Sequence, residues 1–177
     1  MIYGSKWLIN MVEKDKLVQG LSSRERKNPE GPGFDLRARE FYILKGQGCL
    51  GLRKRKTPQA QVVASVNKDK EITLQPGDYY LVKTMEKVNM PERVFAQVFA
   101  RSTLFRSGIQ LQTGKISPKY YGELTFGIIN LSKKPFKIEL GSRIAFIVFS
   151  QIQGSVNPSR GQWLGGRVDA SQPENQV

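Results

Sequence analysis

Apolar residues recur at helical spacing only near the start of the chain. Trp7, Leu8, Met11 and Val12 would share one face of a short helix over about residues 4–17, with Ser5 placed to cap it. Residues 20–33 (GLSSRERKNPEGPG) mix Gly, Ser, Pro and charge and read as a loop. From residue 34 the pattern changes to short apolar or alternating runs at 34–44, 60–66, 71–74, 79–83, 94–99, 109–112, 123–130, 136–139 and 143–150. Turn pairs punctuate them: Pro76-Gly77, Met90-Pro91, Ser107-Gly108, Lys134-Pro135 and Gly141-Ser142. No repeat of fixed period appears. Many short strands with regular turns predict a mainly β domain, a sandwich, jelly roll or barrel. After residue 150 the chain turns rich in Gly, Ser, Asn, Pro and Gln. The expected organisation is one β domain with an N-terminal helix over 1–150 and a flexible C-terminal arm over 151–177. Trp163 is unusual in such an arm and is expected to dock on a neighbouring subunit or a ligand.

Composition narrows the function classes. The 177 residues are 39% hydrophobic and 10% aromatic, enough for one folded domain with a real core. No apolar run approaches the roughly 20 residues of a membrane span, and the first residues lack a signal-peptide core. A single cysteine, Cys49, suits a reducing cytosol, so a cytoplasmic protein is expected. There is no histidine, which excludes Ser-His and Cys-His nucleophile pairs. It also excludes a zinc deaminase, which needs a His-x-Glu segment and paired cysteines. The net charge of +13, from 28 basic and 15 acidic residues, favours polyanionic partners or marks an ordinary basic surface. Arg53, Lys54, Arg55 and Lys56 concentrate that charge in the segment 51–58, read as a loop. Nucleic acid or an acidic protein would contact it there, or it is simply a solvated basic loop.

The candidate chemistry lies between Ala100 and Asn130, in ARSTLFRSGIQLQTGKISPKYYGELTFGIIN. Together with Gly33-Phe34-Asp35-Leu36, Leu140-Gly141-Ser142-Arg143-Ile144-Ala145 and Ser159-Arg160-Gly161-Gln162-Trp163-Leu164-Gly165-Gly166, it resembles the dUTPase and dCTP deaminase family. These motifs run in order through most of the chain. The resemblance implies a distorted jelly-roll fold, a homotrimer with sites between subunits, and a pyrimidine deoxynucleotide ligand carried with Mg²⁺. It places Arg101, Ser102 and Arg106 at the phosphates, Tyr120 against the deoxyribose and Arg160 in the closing arm.

The departures from the family are equally specific. Ser117 stands where dUTPases carry the aspartate that activates water, and Lys119 replaces an acid two residues on. Phe146 replaces a phosphate-contacting glutamine. Gly127 stands where dCTP deaminases carry a glutamate acting as general acid and base. A serine without a neighbouring base does not take a proton from water near neutral pH. Asp35 and Glu123 remain as candidate catalytic acids, with Asp169 of another subunit a third source. Three readings follow: an active enzyme of this family, a member that has lost catalysis but binds a nucleotide, nucleic acid or a protein, and a basic structural protein.

Overall fold

The computed structural model describes residues 1–156 and 161–176. In chain order the elements are α1 (Ser5–Asp15), β1 (Val18–Gln19), α2 (Ser23–Lys27), β2 (Gly33–Lys45), β3 (Cys49–Leu50), β4 (Lys54–Lys56), β5 (Gln59–Ser65), β6 (Glu71–Leu74), β7 (Tyr79–Asn89), β8 (Val94–Ala100), α3 (Ser102–Arg106), β9 (Ile109–Gln112), β10 (Lys115–Ile116), β11 (Tyr121–Asn130), β12 (Phe136–Glu139), β13 (Arg143–Gln151), a 3₁₀ turn at Leu164–Gly166, and β14 (Glu174–Asn175). The mainly β reading holds. Ser5 does not cap α1, however: Gly4 occupies the cap position and Ser5 lies inside the helix. Within the expected loop 20–33, Ser22 does cap a short helix, its Oγ accepting the Glu25 N–H at 3.3 Å.

Strand β2 organises the body. Its first half, Gly33 to Arg37, pairs with β13, while Ala38 to Tyr42 pairs with β7 on the other side. Its far end, Glu40 to Lys45, pairs with β5. The order β10-β8-β13-β2-β7-β11-β9 is therefore one continuous antiparallel path that turns a corner along a single strand. A Cβ at Gly33 would collide with the Ile147 carbonyl, so only glycine permits β2 and β13 to approach this closely.

Alternation along these strands fills the interior. Phe34, Phe41 and Phe149 are fully buried, with Phe34 and Phe149 edge to face at 6.3 Å. Leu8 anchors α1 on the core, while Trp7 stacks on Tyr3 outside it.

The longest strands are not regular. Between Glu123 and Thr125 the β11–β7 register shifts, because β7 bulges at Thr84–Glu86. The Thr84 hydroxyl repairs the interruption: it accepts the Leu124 N–H at 3.0 Å and donates to the Glu86 carbonyl at 2.8 Å.

The segment 51–58 is not a loop. Strands β3 and β4 form a hairpin, and β14 from the C-terminus adds a third strand against β4. The described part of the arm is thus fastened to the hairpin. Thr57 donates its N–H to the Ala170 carbonyl, and Ala170 donates back to the Thr57 hydroxyl at 2.7 Å.

Candidate functional site

A cavity of about 670 Å³ lies between the β9–β10–β11 segment and the returning arm. Its walls include Leu81, Gln112, Lys115, Ser117, Thr125 and Phe126 from the body, with Trp163, Arg167 and Asp169 from the arm. Of the residues singled out in the sequence, Ser117, Lys119, Tyr120, Trp163 and Asp169 line it. The Tyr120 hydroxyl donates to the Glu123 carbonyl at 2.6 Å. Burial, then the Glu123 charge, push the phenol up to about 12, so it stays protonated at neutral pH.

Cations surround the place where an acid was sought. Lys115 Nζ lies 3.4 Å from Ser117 Oγ, a contact in which the ammonium donates. Lys119 and Arg167 also line the cavity, each ion-paired outward, to Glu92 at 2.8 Å and Glu174 at 2.6 Å. Asp169 is the one carboxylate among the described lining residues, and its Oδ2 accepts the Ala60 N–H at 2.6 Å. A divalent ion needs several free oxygen ligands. Lys115, Ser117 and Lys119 do not provide them, so these residues do not fit a protein-held Mg²⁺.

Gly127 lies beside the cavity, outside its lining, and has no room for a side chain. It pairs directly with Gln112 on β9 and Leu81 on β7, both cavity-lining, so all three point to the same side of the sheet. A Cβ at Gly127 would overlap the Tyr79 hydroxyl and lie 2.6 Å from Gln112 Oε1. The Tyr79 hydroxyl donates to that same Oε1 at 3.2 Å. The space above Gly127 is filled by a phenol and a carboxamide.

The two remaining catalytic candidates are engaged elsewhere. Glu123 lies past the bulge, on a separate depression lined by Gln19, Lys87 and Tyr121. Its carboxylate meets Arg39 at 3.4 Å and Lys87 at 3.3 Å. Burial pushes this carboxyl up, but its own backbone N–H, Lys83 and Lys87 together hold it below the ordinary value. A carboxylate so stabilised is a poor base. Asp35, 1% exposed, is the centre of an arginine cluster. Arg101 pairs with its Oδ1, Arg143 reaches Oδ2 at 2.7 Å and Arg24 lies at 3.6 Å. Asp35 therefore positions Arg101 and presents no free carboxylate to a metal or water.

Arg101, Ser102 and Arg106 do not line the cavity of their own chain. Ser102 and Arg106 sit exposed on α3, and Arg106 lies over Phe105 at 5.8 Å. Arg160 lies outside the described residues. In the basic hairpin, Arg53, Lys54 and Lys56 are exposed, but Arg55 is not free for nucleic acid. Its guanidinium lies 4.6 Å from the Trp163 ring and pairs with Glu174 at 2.6 Å, and Arg167 approaches the same ring at 5.1 Å. Of the four basic residues expected to meet a partner, Arg55 is the one engaged, among the described residues, within its own chain. Trp163 docks within its own chain. Sequence reasoning gave no role to Arg24, Arg143, Tyr79 or Gln112: strand pairing brings Arg143 to Asp35 and Tyr79 and Gln112 to Gly127, and helix α2 carries Arg24 to Asp35.

The arm's approach to the cavity rests on glycine. Gly122 has φ +122°, and a Cβ there would overlap the backbone of Gly165 and Gly166. Gly166, at φ +73°, in turn has no room beside the Glu123 carboxylate.

The corner-turning antiparallel body defines a fold class shared with solved nucleotide enzymes. Residues 2–152 match the family model described as dCTP deaminase-like, and the chain belongs to that family. The dCTP deaminase of Pyrococcus furiosus is 26% identical over 155 residues, covering 87% of this chain and 88% of that enzyme. Among solved structures, the 2'-deoxycytidine 5'-triphosphate deaminase of Agrobacterium tumefaciens superposes with a TM-score of 0.62 at 18% identity. That match covers 84% of this chain, which spans about half, 46%, of the Agrobacterium chain. A mutant dUTPase from phage phi11 of S. aureus, described with a structural Mg(II) ion, gives 0.51 at 18% identity. It covers 81% of this chain and 95% of the phage chain. At these identities the solved structures establish a shared fold.

Proposed function

We propose that this protein binds a pyrimidine deoxynucleoside triphosphate in the cavity under its arm and does not turn it over. The filled space over Gly127 carries the reading: the volume that would hold a deaminating glutamate contains Tyr79 and Gln112. Ser117 beside Lys115 supplies no base for hydrolysis either. Losing a general base or acid costs roughly 10²–10⁴-fold in rate. The lining cations suit a triphosphate. The protein acts as a homotrimer in this reading, with Arg101, Ser102 and Arg106 of a neighbouring copy completing the phosphate contacts. That would explain why they lie away from their own cavity. Mg²⁺ enters, in this reading, only on the phosphates. The setting is the cytosol, which the exposed free Cys49 suits.

The test uses the purified full chain with dUTP and dCTP, with and without Mg²⁺. The expected result is saturable binding with no dUMP, dUTP, pyrophosphate or ammonia above background. Turnover abolished by Glu123→Gln would overturn it in favour of an active enzyme. A second reading rests on the exposed Arg53, Lys54 and Lys56 and on the absence of any acidic residue from Phe41 to Lys68. Salt-sensitive DNA or RNA binding, lost when these three are changed to alanine, would favour it over nucleotide binding.

A further inference from the structure

Gln112 and Tyr79 do more than fill space. Tyr79 lies on β7 and Gln112 ends β9, and both side chains reach over Gly127 on the strand between them. Gln112 lines the cavity beside Leu81, Thr125 and Phe126. Thr125, two residues before Gly127 on the same face, has a buried hydroxyl with no protein partner. This patch is neutral and part apolar. The cations begin at Lys115, three residues further along, at most about 10 Å of extended chain. A nucleotide laid along this wall with its phosphates at Lys115 brings its base to Gln112 and Thr125.

The Tyr79–Gln112 contact has a direction. Burial raises the Tyr79 phenol above its ordinary value, so it keeps its proton. That proton is donated to Gln112 Oε1. The carboxamide is thereby held with its oxygen turned to Tyr79 and its NH₂ group turned away from it. An amide NH₂ donates and does not accept. It matches a ring carbonyl and opposes an exocyclic amino group.

We propose that Gln112, held in orientation by Tyr79, makes the cavity selective for keto pyrimidines, uracil or thymine, over cytosine. The inference rests on the nucleotide-binding reading and specifies its ligand. Gln112 touches the base; Tyr79 is a positioning residue.

The experiment is a titration of the full chain with dUTP, dTTP and dCTP by calorimetry, repeated for Gln112→Glu and Tyr79→Phe. A donor covered by the bound base and left facing an amino group is costly, so dUTP and dTTP are expected to bind about tenfold to a hundredfold more tightly than dCTP. Gln112→Glu replaces the donor by an acceptor. Its added charge weakens all three ligands, but the dUTP-to-dCTP affinity ratio should fall below one. Tyr79→Phe keeps the ring over Gly127 and frees the amide to rotate, so the ratio should shrink toward one with dUTP affinity kept within a few-fold. A change in ratio without loss of affinity is a signature that a merely structural tyrosine would not produce. Equal binding of dUTP and dCTP, or a ratio unmoved by Gln112→Glu, overturns the selectivity while leaving nucleotide binding intact. Failure of all three nucleotides to bind overturns both.

Discussion

The corner around Asp35 and the floor around Gly127 meet the same problem in opposite ways. At the corner an acid is present and buried, and Arg24, Arg101 and Arg143 crowd its two oxygens. At the floor the acid is absent and neutral side chains close the space. One region keeps its motif residue as a support for cations. The other keeps the strand register and sets Tyr79 and Gln112 over a glycine. A carboxylate's role is set by its partners, and a fold tolerates the loss of a reactive group when neighbours take up its volume.

The contrast is broken most strongly at the corner. Asp35→Asn removes the carboxylate that pairs with Arg101 and Arg143, while Arg24 keeps Glu30, and should cost about 3–5 kcal/mol of stability in denaturant unfolding. A loss under 1 kcal/mol would mean that the cluster is solvent-screened and not structural. The next effect is at the floor. Gly127→Glu forces a side chain into occupied space and should cost about 1–3 kcal/mol. Adding Tyr79→Ala should recover part of that loss, and a single variant as stable as the parent would show that Tyr79 does not hold the space.

Trp163→Ala removes both guanidinium contacts on the arm, each worth about 0.5–1 kcal/mol. Hydrogen exchange should then rise in 161–176 with the body's core protection unchanged. The smallest effect is that of pH on Glu123. Its folded value is lowered, so its contribution is fully present above the ordinary carboxyl value, about 4.3, and is lost as pH falls through the lowered one. Glu123→Gln should flatten the stability profile below about pH 4 relative to the parent.

Much of this contrast was legible in the chain. The apolar or alternating runs at 123–130 and 143–150 became β11 and β13, the first buried along nearly its whole length and the second alternating between buried and partly exposed positions. The substitutions at Ser117 and Gly127 were visible as residue types. What could not be read was what replaced them. Tyr79 and Gln112 are 33 residues apart and meet only through pairing with a third strand. The basic run 53–56 misled for a related reason: Glu174, more than a hundred residues away, neutralises Arg55. The helix at Ser23–Lys27 was hidden because its five residues are too short for a period, although Ser22 and Glu25 marked its start.

The backbone contact between Gly122 and Gly165–Gly166 also constrains how the chain can change over evolutionary time. Two loci more than forty positions apart are coupled, because a methyl group at Gly122 would meet the Gly165–Gly166 backbone and one at Gly166 would meet Glu123, the residue next to Gly122. Homologues that keep an arm in this place should carry small residues at both loci, and those that lose one should vary at the other. A grafted arm would have to bring its own strand opening with it.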